Sequence, residues 1–533
     1  MEPIAPPAAT TPPGGDFNAI PYVSNAIVQS QPARLFALAK LFGLAPPAIE
    51  TASILELGCA SGGNIIPLAA RFPRARFLGI DLTQRHVDEG RARIRALGLT
   101  NIEIRQGDVT ALDLTDSYGC IICHGTYSWV PPAAREAILR IAARNLQPDG
   151  IAYVSYNVFP GWQMRGIIRD LMLFHAGHDG PPDRRIAMGR WVLDNVAKSA
   201  NAATPYGATL REEAKGLAAQ GDAYILSEFL VPDNAPCYFR DFVAAAEREG
   251  LVFLCESDIE MGLPENHGAE VAKLVREMSA GQLVLMEQYI DFLVGRTFRQ
   301  TLLVRREQAV GIQRLLRPEM ARQLHVSSQL VLDAGASSDG RYVFKGLGGR
   351  AVTITSRTSR RAIEVLTAAF PATRTFDELC AELSTSDPDI VAAGQAEILN
   401  VLFQLIVSGL AWPSSIPVRA GKANAQRPVA WPLARADAAA GWKSTTNLRH
   451  EAVPLDIITS ELLPHLDGSH TRAMLGERLM NAIKAGRIRI QDPATNQVQT
   501  GSALEASVAR HVDLAIERLA AAALLEPEQG SGA

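Results

Sequence analysis

The chain has 533 residues, 47% of them hydrophobic and 20% charged, the usage of an ordinary globular protein with room for two to four domains. A net charge of −4 excludes a global attraction to nucleic acid or anionic membrane. No apolar run approaches the ~18 residues that a membrane helix needs.

Met1 to Gly15 is rich in Pro, Ala and Thr and lacks the basic-then-apolar order of a signal peptide. Residues 1–16 are therefore expected to be a disordered leader on a cytoplasmic protein. Strand signals follow at Ser53–Leu57, Arg76–Ile80, Ile102–Gln106, Cys120–His124 and Ile151–Tyr156. Helical patterns over about 64–72, 83–97 and 133–146 separate them. Apolar strands alternating with amphipathic helices predict a parallel, doubly wound, Rossmann-like α/β sheet. Cys120 and Cys123 form a lone C-x-x-C inside a strand. With Cys59, Cys237, Cys255 and Cys380 they read as buried reduced thiols rather than a zinc or redox centre.

A long, mostly helical stretch from Trp162 to about Ala218 comes next, then a helix over 238–249 and a sixth strand at Leu251–Glu256. Helices over 269–278 and 282–294 lead to Gln300–Arg305, which fits an antiparallel seventh strand. Residues 17–306 thus read as one seven-stranded domain with a helical insertion at about 162–235 over its active face. A separate middle domain is the alternative. Beyond Arg306, a first helical module (307–415), a Pro- and Ala-rich linker (416–450) and a second helical module (451–533) are expected. Helix patterns ending in Leu410-Ala-Trp-Pro413 and in Leu524-Leu-Glu-Pro527 suggest a weak repeat. Arg487–Ile490 and Asp492–Asn496 suggest a small β wing. No Lys/Arg-dense helix with polar base-readers accompanies it, so these winged-helix-like modules are expected to contact protein, not nucleic acid.

Chemistry concentrates where the first strand breaks, at Ile54-Leu-Glu-Leu-Gly-Cys-Ala-Ser-Gly-Gly-Asn64. A dinucleotide turn needs G-x-G-x-x-G, whose second glycine admits a pyrophosphate. That position is Ala60 here, and the pattern is Glu56-x-Gly58-x-x-x-Gly62. This spacing belongs to the turn that binds S-adenosylmethionine, which has no phosphate. Ligands of such sheets sit at the carboxyl ends of the strands. The candidate cofactor residues are accordingly Glu56, Gly58, Cys59, Gly62, Asn64, Asp81, Leu82, Asp108, Val109 and His124. Asp81 is placed to accept from both ribose hydroxyls.

Methyl transfer is an in-line displacement in which the enzyme's main contribution is alignment at about 3–3.5 Å. No metal is required, and no ligand cluster is evident. A lysine acceptor, with a free pKa of about 10.4, must first lose a proton, which a desolvated aromatic pocket favours. Three segments supply such groups: His124, Tyr127 and Trp129 after the fourth strand; Tyr156, Asn157 and Trp162 after the fifth; and Tyr22 on a potential lid before the fold. The plain alternatives are a strand cap for His124, core for Trp162 and packing for Tyr22.

The same segments resemble a bacterial family, the class I S-adenosylmethionine-dependent methyltransferases that carry a methyltransferase regulatory domain. The resemblance runs through Phe17–Ser24, Leu55–Pro67, the motifs HGTYSWVP (124–131) and YNVFPGWQMRG (156–166), Asn234-x-Pro236-x-Tyr-Phe239, Phe298–Val304, Arg449-His450 and His465–Ser469. It places the regulatory region at about 220–300. It implies protein-lysine methylation, since well-known members modify lysines of outer-membrane proteins. It also carries over Gly58 and Gly62 as shaping the cofactor turn, Asp81 as the ribose ligand and Asp108 as facing the adenine amino group. One departure is Tyr118-Gly119, where an Asp commonly precedes the fourth strand. The substrate is expected to be a protein, an outer-membrane or surface protein among them, with a homodimer possible. A small-molecule methyltransferase and a non-catalytic cofactor-binding scaffold are the alternatives.

Overall fold

A computed structural model of the chain describes residues 24–338, 340–491 and 498–527. The expected leader and Tyr22 lie outside the described residues, as do the wing residues 492–497. Seven strands form one sheet: β1 (Ser53–Leu57), β2 (Arg76–Asp81), β3 (Ile102–Gln106), β4 (Tyr118–Cys123), β5 (Leu146–Asn157), β6 (Leu251–Glu256) and β7 (Phe298–Arg305). Their order is β3-β2-β1-β4-β5-β7-β6. The first five run parallel, and β7 lies antiparallel between β5 and β6. Every residue of β1 and β4 is buried, which is why both are mostly apolar, with Ser53 and Glu56 the polar residues of β1. The order reverses between β1 and β4, and the carboxyl ends of those two strands open the crevice such sheets use for ligands.

Helices α1 (Pro32–Leu41), α2 (Ile65–Arg71) and α3 (Gln84–Ala96) pack on one face of the sheet, joining Phe36, Ile66 and Val87 to Ile54, Cys120 and Tyr153. Helix α4 (Pro132–Asn145) covers the opposite face through Ile138 and Leu139. The insertion comprises α5 (Gly161–Ala176), α6 (Pro182–Ser199), α7 (Pro205–Ala218) and the short α8 (Asp222–Ile225). It has a core of its own, in which Ile168, Met172, Leu193 and Phe229 meet. Helix α9 (Phe239–Arg248) returns to the sheet beside α4. Then α10 (Ala269–Ser279) and α11 (Leu283–Val294) lead into β7. There the fully buried Arg299 donates to Glu256 and Asp291, each at 2.9 Å, and to Glu287 at 3.0 Å. A buried cation is tolerable only with such partners, and this one ties β6, α11 and β7 together.

After β7 come α12 (Arg357–Ala369), α13 (Phe376–Ser386) and α14 (Pro388–Val407). Thr375 and Glu378 form a capping box that starts α13. Leu366, Phe376 and Leu402 belong to the same apolar cluster as α1 and the sheet, so this part shares the core of the seven-stranded sheet. The stretch expected to be an extended linker is largely ordered into the next unit. Within it, α15 (Pro432–Ala439) starts on a helix-compatible proline and buries Trp431, Leu433 and Ala434. It joins α16 (Ile457–Leu462), α17 (Arg472–Lys484) and α18 (Gly501–Ala521) around a second core. This unit docks on α3, where Arg93 pairs with Asp437 at 2.9 Å and lies 4.1 Å from the Trp442 ring centroid. Among the described residues no helix is long and apolar enough to cross a membrane.

Candidate active site

The break after β1 makes a tight turn that only small residues permit. Gly58 has φ +74°, and a Cβ there would lie 2.1 Å from Thr126 Oγ1 on the loop after β4. Ala60 also takes a left-handed conformation (φ 46°), held because its N–H donates to Asp81 Oδ2 at 2.8 Å. Asp81 Oδ1 accepts from the Thr83 N–H at 2.9 Å, with His86 Nδ1 at 3.4 Å. Gly62 closes the turn, its N–H donating to the Cys59 carbonyl. A Cβ on Gly63 would lie 2.0 Å from the Ser24 carbonyl, because residues from Ser24 onward lie directly over the turn. Ser24 Oγ accepts the Gly63 N–H at 2.7 Å.

A cleft of about 1340 Å³ opens from this turn. Glu56, Gly58, Cys59, Asn64, Asp81, Leu82, Asp108, Val109, His124, Trp129, Asn157 and Trp162 all line it. Leu82 and Val109 supply apolar wall. Asp108 uses Oδ1 to cap Thr110, and its other oxygen has no hydrogen-bond partner among the described residues. Cys59 is buried, and burial pushes its thiol well up, so it is a small apolar contact and not a nucleophile.

Glu56 carries the test of whether the expected cofactor fits. One oxygen accepts from Asn64 Nδ2 at 2.8 Å; the other, Oε2, is buried with no hydrogen-bond partner among the described residues. Burial, with Asp81 nearby, pushes this carboxyl up to about 8. An unpartnered buried carboxylate oxygen beside a glycine turn suits the ammonium of a methionine tail, which would restore its charge. Together with the Asp81 carboxylate and the phosphate-free turn, it fits an adenosyl sulfonium.

Asn64 differs from a simple ligand. Its Nδ2 donates to Glu56 and, at 3.1 Å, to Ser30, while its Oδ1 accepts the Ile27 N–H at 2.9 Å and His450 Nε2 at 2.8 Å. Its amide is committed to protein groups, so it orients Glu56 from behind.

His124 Nδ1 shares a 2.9 Å hydrogen bond with Tyr153 Oη, and its ring lies against Tyr153 and edge-on to Phe298. Burial pulls its pKa down to about 4, so the imidazole is neutral near pH 7 and Nε2 is the ring atom left for a ligand. Trp129 and Trp162 meet edge-to-face, centroids 6.0 Å apart, and both line the cleft. Asn157 Nδ2 donates to Asn234 at 3.2 Å, fastening the end of β5 to the end of the insertion.

Tyr127 and Tyr156 are not placed as expected. Both are buried in the core of the opposite sheet face, against each other and Phe242, and neither lines the cleft. Tyr156 Oη bonds Thr301 at 2.9 Å. They support the strand ends and do not reach the cleft. The groups that sequence reasoning missed come from the insertion and the amino-terminal segment: Arg165, Tyr224, Ser227, Glu228 and Asp233, with Ser24 and Ile27.

The match to known proteins follows this geometry. Residues 54–150 match a family model described as a methyltransferase domain, and 221–305 match a predicted methyltransferase regulatory domain. Residues 426–524 match the C-terminal winged helix domain of PKMT. An uncharacterised protein of Rickettsia prowazekii, RP789, is 30% identical over 89% of this chain and 87% of its own. The solved structure of PKMT2 from Rickettsia typhi aligns with a TM-score of 0.84 at 26% identity, over 95% of this chain and all of that one. The same protein in complex with AdoHcy aligns with a TM-score of 0.83. The chain therefore belongs to the class I methyltransferases that carry the methyltransferase regulatory domain, and S-adenosylmethionine is its cofactor.

Proposed function

We propose that this methyltransferase acts on lysine side chains of a protein substrate. The observation that carries the reading is the size and continuity of the cleft. At about 1340 Å³ it exceeds the roughly 300–1,000 Å³ usual for one small ligand, and its lining extends from Glu56, Asp81 and Asp108 to Trp129, Trp162 and the insertion residues Arg165 and Glu228. That leaves space for an extended acceptor beside the donor. The likeness to PKMT2 along nearly the whole chain supports the same reading.

When bound, S-adenosylmethionine supplies a methyl group on a sulfonium whose departure leaves a neutral thioether. The chain's own contribution is holding and desolvation. The residues we assign to holding it are Asp81 at the ribose, Glu56 at the amino group, and Asp108 with Leu82 and Val109 around the base. Neutral His124, fixed by Tyr153, offers Nε2 to orient the acceptor nitrogen without adding a repelling charge. Trp129 and Trp162 give the acceptor's alkyl chain a dry wall, which favours an uncharged amine. The insertion and the winged-helix unit would grip the protein around the lysine. A cytoplasmic enzyme meeting its substrate before export fits an outer-membrane or surface target.

The test is transfer of tritiated methyl from S-adenosylmethionine to separated cytosolic and outer-membrane protein fractions, followed by acid hydrolysis. Label is expected in methylated lysine. Label confined to low-molecular-weight products would overturn the protein-lysine reading in favour of a small-molecule acceptor.

A further inference from the structure

The last turn of the insertion, Leu226–Leu230, is wound as a π-helix. Such turns hold an extra residue and recur at functional positions because they re-aim side chains. Here Leu226, Phe229 and Leu230 enter the insertion's core, while Ser227 and Glu228 line the cleft. Glu228 is half-buried, and no hydrogen bond or ion pair holds its carboxylate among the described residues. Arg165, from the first turns of α5, also lines the cleft. It bonds the Tyr224 hydroxyl and lies 5.9 Å from the Trp162 ring centroid. Trp162 in turn meets Trp129. Of the three carboxylates that the cap brings to the cleft, Asp179 and Asp233 are exposed, and Glu228 is the half-buried one that shares it with the two indole rings. Rings and carboxylate together are what a primary ammonium on an alkyl chain prefers.

We infer that Glu228 is the acceptor-binding residue of this cleft: it receives the substrate's alkylammonium beside Trp129 and Trp162 and removes one of its protons. The inference rests on the lysine reading above. In the step, one Nζ–H bond breaks and its electron pair stays on nitrogen. The proton passes to a Glu228 carboxylate oxygen, giving a neutral amine and a neutral carboxyl. The amine's pair then forms the N–CH₃ bond as the C–S bond breaks with its pair retained by sulfur, and Glu228 returns its proton to water. Burial pushes the Glu228 carboxyl up to about 7 against the opposing pull of Arg165, so it is a usable base near neutral pH.

Two measurements on the full chain test this. In calorimetry at pH 8 with n-butylamine as the probe, the wild type is expected to bind, and Glu228→Gln at least about tenfold more weakly. Methyl transfer to protein by the wild type should rise with pH through about 7. Glu228→Gln should lose about 100-fold at pH 7.5, within the usual range for a general base, and recover part of it toward pH 10 as free amine becomes abundant. Glu228→Asp, which keeps a carboxylate, should keep the rising limb. Equal butylamine binding by the two proteins, no binding by the wild type, or a deficit independent of pH would overturn the proposal. If Glu228→Gln does not fold, the wild type decides alone: a flat profile between pH 6 and 8 rejects Glu228 as the base. Failure of the lysine reading shows separately, as wild-type label recovered in no lysine while the butylamine arm still reports on Glu228.

Discussion

His450 Nε2 and Asn64 Oδ1, separated by 386 positions in the chain, lie 2.8 Å apart. Asn64 Oδ1 also accepts from Ile27, so it can only be an acceptor, and His450 must carry its proton on Nε2. The winged-helix unit therefore touches the residue that orients Glu56 at the cofactor turn.

His450→Ala should leave Asn64 short of a buried donor, at a cost of about 1–3 kcal/mol in stability. Cofactor affinity should fall severalfold, because Glu56 loses a firmly held neighbour. Urea denaturation and calorimetric titration check both, and unchanged values in each would mean that the contact is incidental.

Stability should also weaken in acid. Burial holds the His450 imidazole down at about 3 and that of His124 at about 4, against an ordinary value of 6.5. Below 6.5 the unfolded chain takes up protons that the folded chain refuses, so unfolding binds protons and stability rises with pH. The stabilisation is complete above about 6.5 and declines as pH falls toward 4 and 3. Tm measured from pH 7.5 to 4.5 should drop, and His450→Ala should show a shallower slope.

Binding of the cofactor should release a proton from Glu56. Its carboxyl, held up at about 8, is mostly protonated at pH 7, and an ammonium set against Oε2 lowers it again. Calorimetry in buffers of different ionisation enthalpy should give net release below one proton, with affinity rising from pH 6 to 8. Glu56→Gln should abolish both effects. Binding that is proton-neutral in the wild type would place the amino group elsewhere.

Asp81→Ala should cost about 1.5–3 kcal/mol of cofactor affinity through lost charge-assisted bonds. The same change frees the Ala60 and Thr83 amides that hold the turn, so the off-rate should rise more than the on-rate falls. Stopped-flow displacement separates the two.

Gly58→Ala sets a methyl group 2.1 Å from Thr126 Oγ1 at φ +74°. Cofactor binding should be lost. The double variant with Thr126→Ala removes the hydroxyl but not the backbone strain, so it should recover binding only in part, remaining about 1–2 kcal/mol weaker than wild type. Full recovery would show that the left-handed conformation is not needed.

How much of this can be read along the chain depends on the range of the contact. The strands β1 to β5 and the turn at Gly58 follow from local apolar patterning and glycine spacing. Asp81 and Asp108 follow from lying at the carboxyl ends of strands, the first closing β2 and the second two residues past β3. The error over Tyr156 has a simple cause: strand residues alternate sides, and Tyr156 shares parity with Ala152 and Val154 on the opposite face, whereas Asn157 shares it with Tyr153. Parity would have excluded it. Tyr127 sits in a short turn where no period operates. Glu228 and Arg165 approach the cleft only because the insertion folds back over it. The His450–Asn64 contact leaves no trace in either local segment. Trp431 and Leu433 carried an apolar signal, but the surrounding Pro and Ala gave it the texture of a linker.

The apolar cluster that joins Ile54 and Cys120 of the sheet to Leu366, Phe376 and Leu402 makes Arg306 a poor place to cut the gene. A fragment ending there would contain every residue of the cofactor pocket yet leave oily surface bare where α12–α14 had lain. It should aggregate on expression. The α15–α18 unit, with an interior of its own, is the piece to clone separately.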